Sequence, residues 1–216
     1  MMNKYGNFSE DMDVIDLGFK SFQSVWSLQK ILQDRLLKKE INEKLLIVEH
    51  EPVYTLGKNA NRNHLLQSRN NSIHVYNTER GGDITFHGPG QIVVYPILNL
   101  SNYRKSLSWY MRMLEQVSID VLSEFSIIAK RVNGMTGVWV NDEKISAQGV
   151  RVSRWVTMHG FSLNVNTDLS FYDGIIPCGI FNYGITSMEK ILGEIQSIEK
   201  VKNVIIDKFM ILFEKN

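Results

Sequence analysis

The spacing of apolar residues changes several times along the chain, and each change marks an element. Val14-Ile15-Asp16-Leu17-Gly18 is a short extended run closed by glycine. Over residues 21–39 the positions Phe22, Val25, Trp26, Ile31, Leu32 and Leu36 recur at helical spacing, with Phe22 and Trp26 expected in the core. Leu45-Leu46-Ile47-Val48 is continuously apolar and predicts a buried strand, which Pro52 breaks before an extended pattern resumes over 53–57. Residues 58–72 are polar and rich in asparagine, a loop with room for one helical turn. Ile73-His74-Val75-Tyr76 alternates like a strand with one exposed face, and residues 92–98 form another strand. Residues 106–124 carry Leu107, Tyr110, Met111, Leu114, Val117, Val121 and Leu122 along one helical face. Strands are predicted over 127–132, 136–140, 144–152 and 156–165, with Asn141-Asp142 as the turn before the third. A last helix over 197–215 presents Ile198, Val201, Ile205, Phe209 and Leu212 on one side.

Strands outnumber helices and several are adjacent in sequence. The prediction is a mixed α/β (α+β) fold, a largely antiparallel sheet with helices packed on it. No repeat or low-complexity linker divides the chain, so residues 1–216 read as a single domain.

Composition narrows the function. Hydrophobic residues at 44% and charged residues at 22% are ordinary for a globular protein, and the net charge of +1 offers no field for gripping many phosphates. Nucleic acid is therefore not an expected partner. One cysteine excludes an internal disulfide and any cysteine-cluster metal site, and suits a reducing compartment. The polar start, with Glu10, Asp11 and Asp13, lacks a secretion signal, and no run reaches the roughly 18 apolar residues that span a bilayer, so a cytoplasmic, membrane-free protein is expected.

Three stretches carry candidate chemistry. The glycine-rich stretch from Arg80-Gly81-Gly82-Asp83-Ile84-Thr85-Phe86-His87 to Gly88-Pro89-Gly90-Gln91 could be a phosphate cradle, but a β-branched strand follows it where a helix N-terminus would be needed. It reads equally well as a tight turn or as a binding loop in which Arg80 or His87 orients a polar group. His159-Gly160 lies among apolar strand residues, where a histidine is more often a hydrogen-bonded core residue than a catalyst. His50, His64 and His74 show no metal-ligand spacing, and Arg62, Arg69, Arg151 and Arg154 read as surface charges unless the partner is acidic. The third is Pro177-Cys178-Gly179. A lone cysteine usually packs as a small hydrophobe, but here proline fixes φ on one side and glycine removes the β-carbon on the other. Lys144 is the candidate activator, since an ammonium beside a thiol favours the nucleophilic thiolate.

Together these motifs resemble those of the lipoyl (octanoyl) protein transferases. The first signature is Arg80-Gly81-Gly82 through Gln91. The second comprises Thr136-Gly137-Val138-Trp139, Lys144-Ile145, His159-Gly160, Leu163-Asn164 and Pro177-Cys178-Gly179, with Thr186-Ser187 at the start of a short helix. The resemblance runs from about Val14 to the C-terminus. It implies the fold of biotin and lipoate protein ligases and a Cys178/Lys144 dyad. Octanoyl would pass from octanoyl-acyl carrier protein to Cys178 as a thioester, and then to the lysine of a lipoyl domain. Acceptors of this class are the lipoyl domains of 2-oxoacid dehydrogenase complexes and the H protein of glycine cleavage. Lys144 would shuttle protons. Arg80 to His87, Ala147-Gln148-Gly149 and Gly160-Phe161-Ser162 would line the acyl site, with His159 in support. Gln148 stands where an apolar residue is usual and Ser162 where alanine is common, which bears on acyl length. A thioester is already activated, so neither ATP nor a metal is expected. Acyl carrier proteins are acidic, which would give Arg62, Arg151 or Arg154 a docking role. The alternatives are an ATP-dependent lipoate ligase and an amidotransferase moving lipoyl or octanoyl between protein domains.

Overall fold

Leu45-Leu46-Ile47-Val48 and Ile92-Val93-Val94 have no polar face to turn to water, so their strands must be covered on both sides. The computed structural model, which describes residues 12–176 and 184–215, shows the covering. In chain order the elements are β1 (Met12–Lys20), α1 (Phe22–Leu37), β2 (Glu43–His50), β3 (Val53–Leu56), β4 (His74–Asn77), β5 (Ile84–His87), β6 (Gln91–Ile97) and α2 (Leu107–Glu124). There follow β7 (Val138–Val140), β8 (Glu143–Ser153), β9 (Val156–Asn164), β10 (Gly184–Ile185), α3 (Met188–Leu192) and α4 (Ile198–Leu212).

The larger sheet runs in the order β1-β2-β6-β9-β8-β10, with β7 also paired to β8; the smaller runs β4-β3-β5. Most pairings are antiparallel, while β1 with β2, β3 with β4 and β10 with β8 are parallel. On β2, Leu45 and Ile47 join a core with α2 and α4, whereas Leu46 and Val48 join a second core with α1. Ile92 and Val94 against Val93 and Tyr95 divide β6 in the same way. The mixed α/β prediction holds, with helices on both faces. The smaller sheet has its own core, built on Tyr54, Leu56, Ile84, Phe86 and Tyr172.

Among the described residues each of the four α-helices begins on a serine: Ser21, Ser106, Ser187 and Ser197 accept from the N–H three residues on, supplying a partner for an otherwise orphan donor. The helix start expected at Thr186-Ser187 is thus α3.

Several expectations change. Gly18, at φ 63°, does not end β1 but sits in the irregularity between Asp16 and Phe19, after which pairing to β2 resumes. Ile31 and Leu107 are exposed, at 57% and 50%: Ile31 falls on the face of α1 opposite its buried positions, and Leu107 is the first residue of α2, ahead of the packed turns. Residues 127–132 are not a strand: only Lys130 bridges to Trp139, and Ile128 is 91% exposed. The guanidinium of Arg131 explains this, because it binds Glu115, the Arg112 carbonyl and Gln116 and draws the chain onto α2 instead. Conversely, the glycine-rich stretch contains a strand, β5, paired to β3; the chain bends before it, where Gly82 has φ 86°, and turns after it over Gly88 to Gly90, where Gly90 has φ 78°.

Candidate active site

A cavity of about 50 Å³ lies where β5 of the smaller sheet and the start of α1 meet β6, β8 and β9. Its walls are Phe22, Val93 and Tyr95, the strand residues Ile84, Thr85 and His87, the segment Ala147 to Gly149, and His159 to Ser162. Arg80, Gly82 and Asp83 form its rim. A second, narrower space of about 10 Å³ is lined by Lys144, Ile145, Ser146, Asn164, Tyr172 and Ile185. Thr85, Ala147 and Ser162 line both, so the two spaces adjoin across these side chains and together make an interrupted channel directed toward Lys144.

Small residues make the room. Gly149 and Gly160 face each other across β8 and β9. A β-carbon on Gly160 would come within 2.1 Å of the Val94 carbonyl oxygen, and one on Gly149 within 3.0 Å of the Gly81 oxygen. The Gly81 N–H donates to the Val150 carbonyl at 2.9 Å, which ties the rim to β8. Arg80 is buried; its guanidinium donates to the Thr55 carbonyl at 2.6 Å and hydroxyl at 2.9 Å, and to the Gly81 carbonyl at 3.0 Å. Arg80 therefore anchors the rim while placing a positive charge beside the channel.

The histidines around the channel are neutral. Burial, then the charges of neighbouring groups including Arg80, pushes His87 down to about 3. Its Nδ1–H donates to Gln91 Oε1 at 2.6 Å and its ring stacks on Phe22. Burial and then Arg80 push His159 down to about 3. His159 has φ 61°, its backbone N–H donates to Gln29, and Nε2 is 3.8 Å from Glu79, too far for a hydrogen bond. His50 is lowered to about 4 by burial; its Nδ1–H donates to the Lys20 carbonyl and its Nε2 accepts from Tyr95, each at 2.9 Å. Below the channel, Gln91 donates to Asn164 at 2.8 Å and to the Tyr172 hydroxyl at 3.1 Å, locking β6, β9 and the turn before residue 175 together.

Lys144 is only 6% exposed. Its ammonium donates to the Thr136 carbonyl at 3.3 Å and sits 4.8 Å from the centre of the Trp139 ring. On the neighbouring strand, Ile185 pairs with Lys144, and the Thr186 N–H donates to its carbonyl.

The structure thus brings Arg80, Gly82, Asp83, Ile84, Thr85, His87, Ala147, Gln148, Gly149, His159, Gly160, Phe161 and Ser162 to one channel. Gly81 and Phe86 are not among its lining residues; Phe86 stacks on Phe171 in the smaller core. Pro177, Cys178 and Gly179 lie outside the described residues. Phe22, Val93, Tyr95 and Tyr172 also line the channel; as aromatic and aliphatic residues they carried no signal apart from core packing, whereas Asn164, at the inner end, stood in the second signature. Arg62 and Arg154 are exposed, while Arg151 is partly buried and 3.8 Å from Glu79. Among the described residues no cluster of His, Asp and Glu could hold a metal ion, and no helix is long and apolar enough to cross a membrane.

Comparisons with known proteins agree with this architecture. Residues 21–210 match the lipoyl protein ligase A/B catalytic domain. The octanoyltransferase of Gloeobacter violaceus is 43% identical over 93% of this chain and 89% of its own length. The chloroplastic octanoyltransferase LIP2p2 of Arabidopsis thaliana is 45% identical over 85% of this chain and 68% of its own. Among solved structures, the putative lipoate protein ligase Ta0514 of T. acidophilum superposes with a TM-score of 0.70 at 14% identity, covering 94% of this chain and 85% of that one. The biotin protein ligase of Aquifex aeolicus gives 0.52 at 15%, covering 92% and 68%. At such identities the superpositions speak for the fold, and the sequence matches speak for the family: this chain belongs to the lipoyl protein ligase A/B catalytic-domain family and, within it, to the octanoyltransferases.

Proposed function

We propose that this enzyme moves an octanoyl group from the thioester of an acyl carrier protein, through Cys178, to the side-chain amine of a lipoyl-domain lysine. The observation that carries this reading is the channel: it is narrow, largely apolar in its walls, and ends beside a buried ammonium. Tyr172 and Ile185, on either side of residues 177–183, both line its inner end with Lys144. An octanoyl chain lies between Ala147 to Gly149 and Gly160 to Ser162, with Thr85 opposite and the rim from Arg80 to His87 closing over it. His159, held neutral, supports the outer end.

Chemistry follows from these placements. The Cys178 thiolate attacks the donor carbonyl, the carbon–sulfur bond to the carrier breaks, and Lys144 gives its proton to the departing thiolate, which leaves as the thiol. Neutral Lys144 then takes a proton from the attacking acceptor amine, the amide forms, and the Cys178 thiolate is released. Because the donor thioester is already activated, neither ATP nor a metal takes part. The acceptors are lipoyl domains of 2-oxoacid dehydrogenases and the glycine cleavage H protein, and exposed Arg62 and Arg154 with Arg151 guide the acidic carrier. We place the reaction in the cytoplasm.

Incubation with octanoyl-carrier thioester followed by peptide mass mapping tests the proposal. An octanoyl adduct on the peptide containing Cys178 is expected, and Cys178→Ser should lose both adduct and transfer while keeping its melting temperature. Product formed only from free octanoate with ATP would overturn the reading in favour of a ligase. Transfer from an octanoylated lipoyl domain as efficient as from the carrier would favour an amidotransferase.

A further inference from the structure

Glu115 is a charged residue in the middle of α2, yet it is 1% exposed. Burying a carboxylate is costly unless its oxygens are fully engaged, and here they are. One oxygen accepts from Arg112 at 2.7 Å and from Arg131 at 3.0 Å. The other turns away from both guanidiniums and accepts the backbone N–H of Gly137 at 3.1 Å. Two cations would satisfy the charge without that last bond, so the reach to Gly137 needs its own explanation.

Gly137 is where the Lys144 side chain is held. Its φ of 139° belongs to glycine. A β-carbon there would meet Trp139 at 2.9 Å and the Lys144 Cε at 3.0 Å. The carbonyl just before it, on Thr136, accepts from the Lys144 ammonium, and Trp139 just after it places its ring near the same group. Residues 136–139 therefore form a cradle around the ammonium. The cradle is short of regular support: β7 begins only at Val138, and the pairing of β7 with β8 shifts between Val138 and Trp139. A carboxylate on α2 supplies what the strand does not. Arg131 extends the clamp by also binding the Arg112 carbonyl and Gln116, fixing the chain that leads into the cradle.

We infer that Glu115 is a positioning residue for Lys144, acting through the Gly137 N–H and the Thr136 carbonyl to hold the ammonium at the inner end of the channel. Glu115 touches neither the channel nor the acyl group. The inference rests on the proposed role of Lys144 in transfer, and it adds that this role depends on an ion cluster centred on a buried carboxylate of α2. Glu115→Gln keeps the size but turns an amide nitrogen toward one of its donors, and so loosens the clamp.

The test compares wild type, Glu115→Gln, Lys144→Ala and the double variant. Alkylation of the single cysteine by iodoacetamide is followed across pH, and steady-state transfer from octanoyl-carrier thioester is measured. Glu115→Gln is expected to lower kcat by on the order of ten- to a hundredfold with KM little changed, and to shift the alkylation profile to higher pH. In the Lys144→Ala background the same substitution is expected to move the profile no further, because its effect passes through the missing ammonium. An unchanged profile and kcat in Glu115→Gln, or an equal shift with and without Lys144, would overturn the positioning role. If Lys144→Ala itself leaves transfer and alkylation intact, the dyad fails instead, and the positioning role falls with it. Should Glu115→Gln not fold, Glu115→Asp, which keeps the charge but withdraws it from Gly137, reads the same outcomes.

Discussion

Lowering the pH from 7 to 5 should destabilise this protein for a reason located at the channel. His50, His87 and His159 are buried and held neutral, with pKa values pushed to about 4, about 3 and about 3. In the unfolded chain each returns to about 6.5. Between that value and about 4 the unfolded state binds a proton at each site and the folded state does not, so stability is full at neutral pH and falls as pH drops. Each group contributes about 1.4 kcal/mol per pH unit well inside this window, and three together give about 4 kcal/mol per unit. Integrated from pH 7 to 5, the loss is about 2 kcal/mol for each histidine and about 5 to 6 in total, against a typical domain stability of about 5–15 kcal/mol. With a urea slope of about 2 kcal/mol/M, the midpoint should fall by roughly 2 to 3 M. Urea melts followed by tryptophan fluorescence between pH 7.5 and 5 read this directly, in a range above the titration of ordinary carboxylates. His50→Gln should flatten the dependence by about one proton, since its loss removes one of the three sites. A slope below about 1.4 kcal/mol per unit in the wild type would refute the argument, because it would leave at most one of the three histidines neutral and buried.

Two further outcomes are expected. Gly137→Ala must strain a φ of 139° and crowd the Lys144 Cε at 3.0 Å; a loss of about 1–3 kcal/mol by thermal melting is expected, with kcat reduced even at temperatures where the variant is fully folded. Phe22→Ala removes a channel wall that stacks on His87; it should cost about 3–5 kcal/mol and raise kcat/KM for a ten-carbon donor relative to an eight-carbon one, measured by competing the two thioesters.

The fold was legible wherever a residue's local pattern and its tertiary setting agree. Leu45 to Val48 could only be a buried strand, and the serines at 21, 106 and 197 begin helices because a hydroxyl can cap them. Pattern failed where a single long-range contact outweighed it. Residues 127–132 have the composition of a strand, but Arg131 is captured by Glu115 on a preceding helix, and no spacing rule registers that pairing. The glycine-rich stretch kept two readings open because turn and strand alternate within it: β5 ends at His87 and the turn begins one residue later. For the channel, charged and glycine-rich residues stood out by type, whereas Phe22, Val93 and Tyr95 did not. An aromatic ring in a channel wall obeys the same alternation as one in a core, and only the space beside it differs.

The electrostatics of the channel bear on which group can move protons there. A base that works near neutral pH needs a pKa close to it. Burial pushes His87 and His159, both on the channel wall, down to about 3, far below that range, and in both cases the buried Arg80 charge adds to the effect. Both imidazoles on the channel wall are therefore kept neutral by burial, with the Arg80 charge adding to it. Among the described residues, the titratable side chains that line the inner end are the Tyr172 phenol, which is engaged with Gln91 and Asn164, and the Lys144 amine. A thiol placed at that end, as the proposed mechanism has it, would meet an ammonium rather than an imidazole, which is why the proposed proton transfers fall to a lysine.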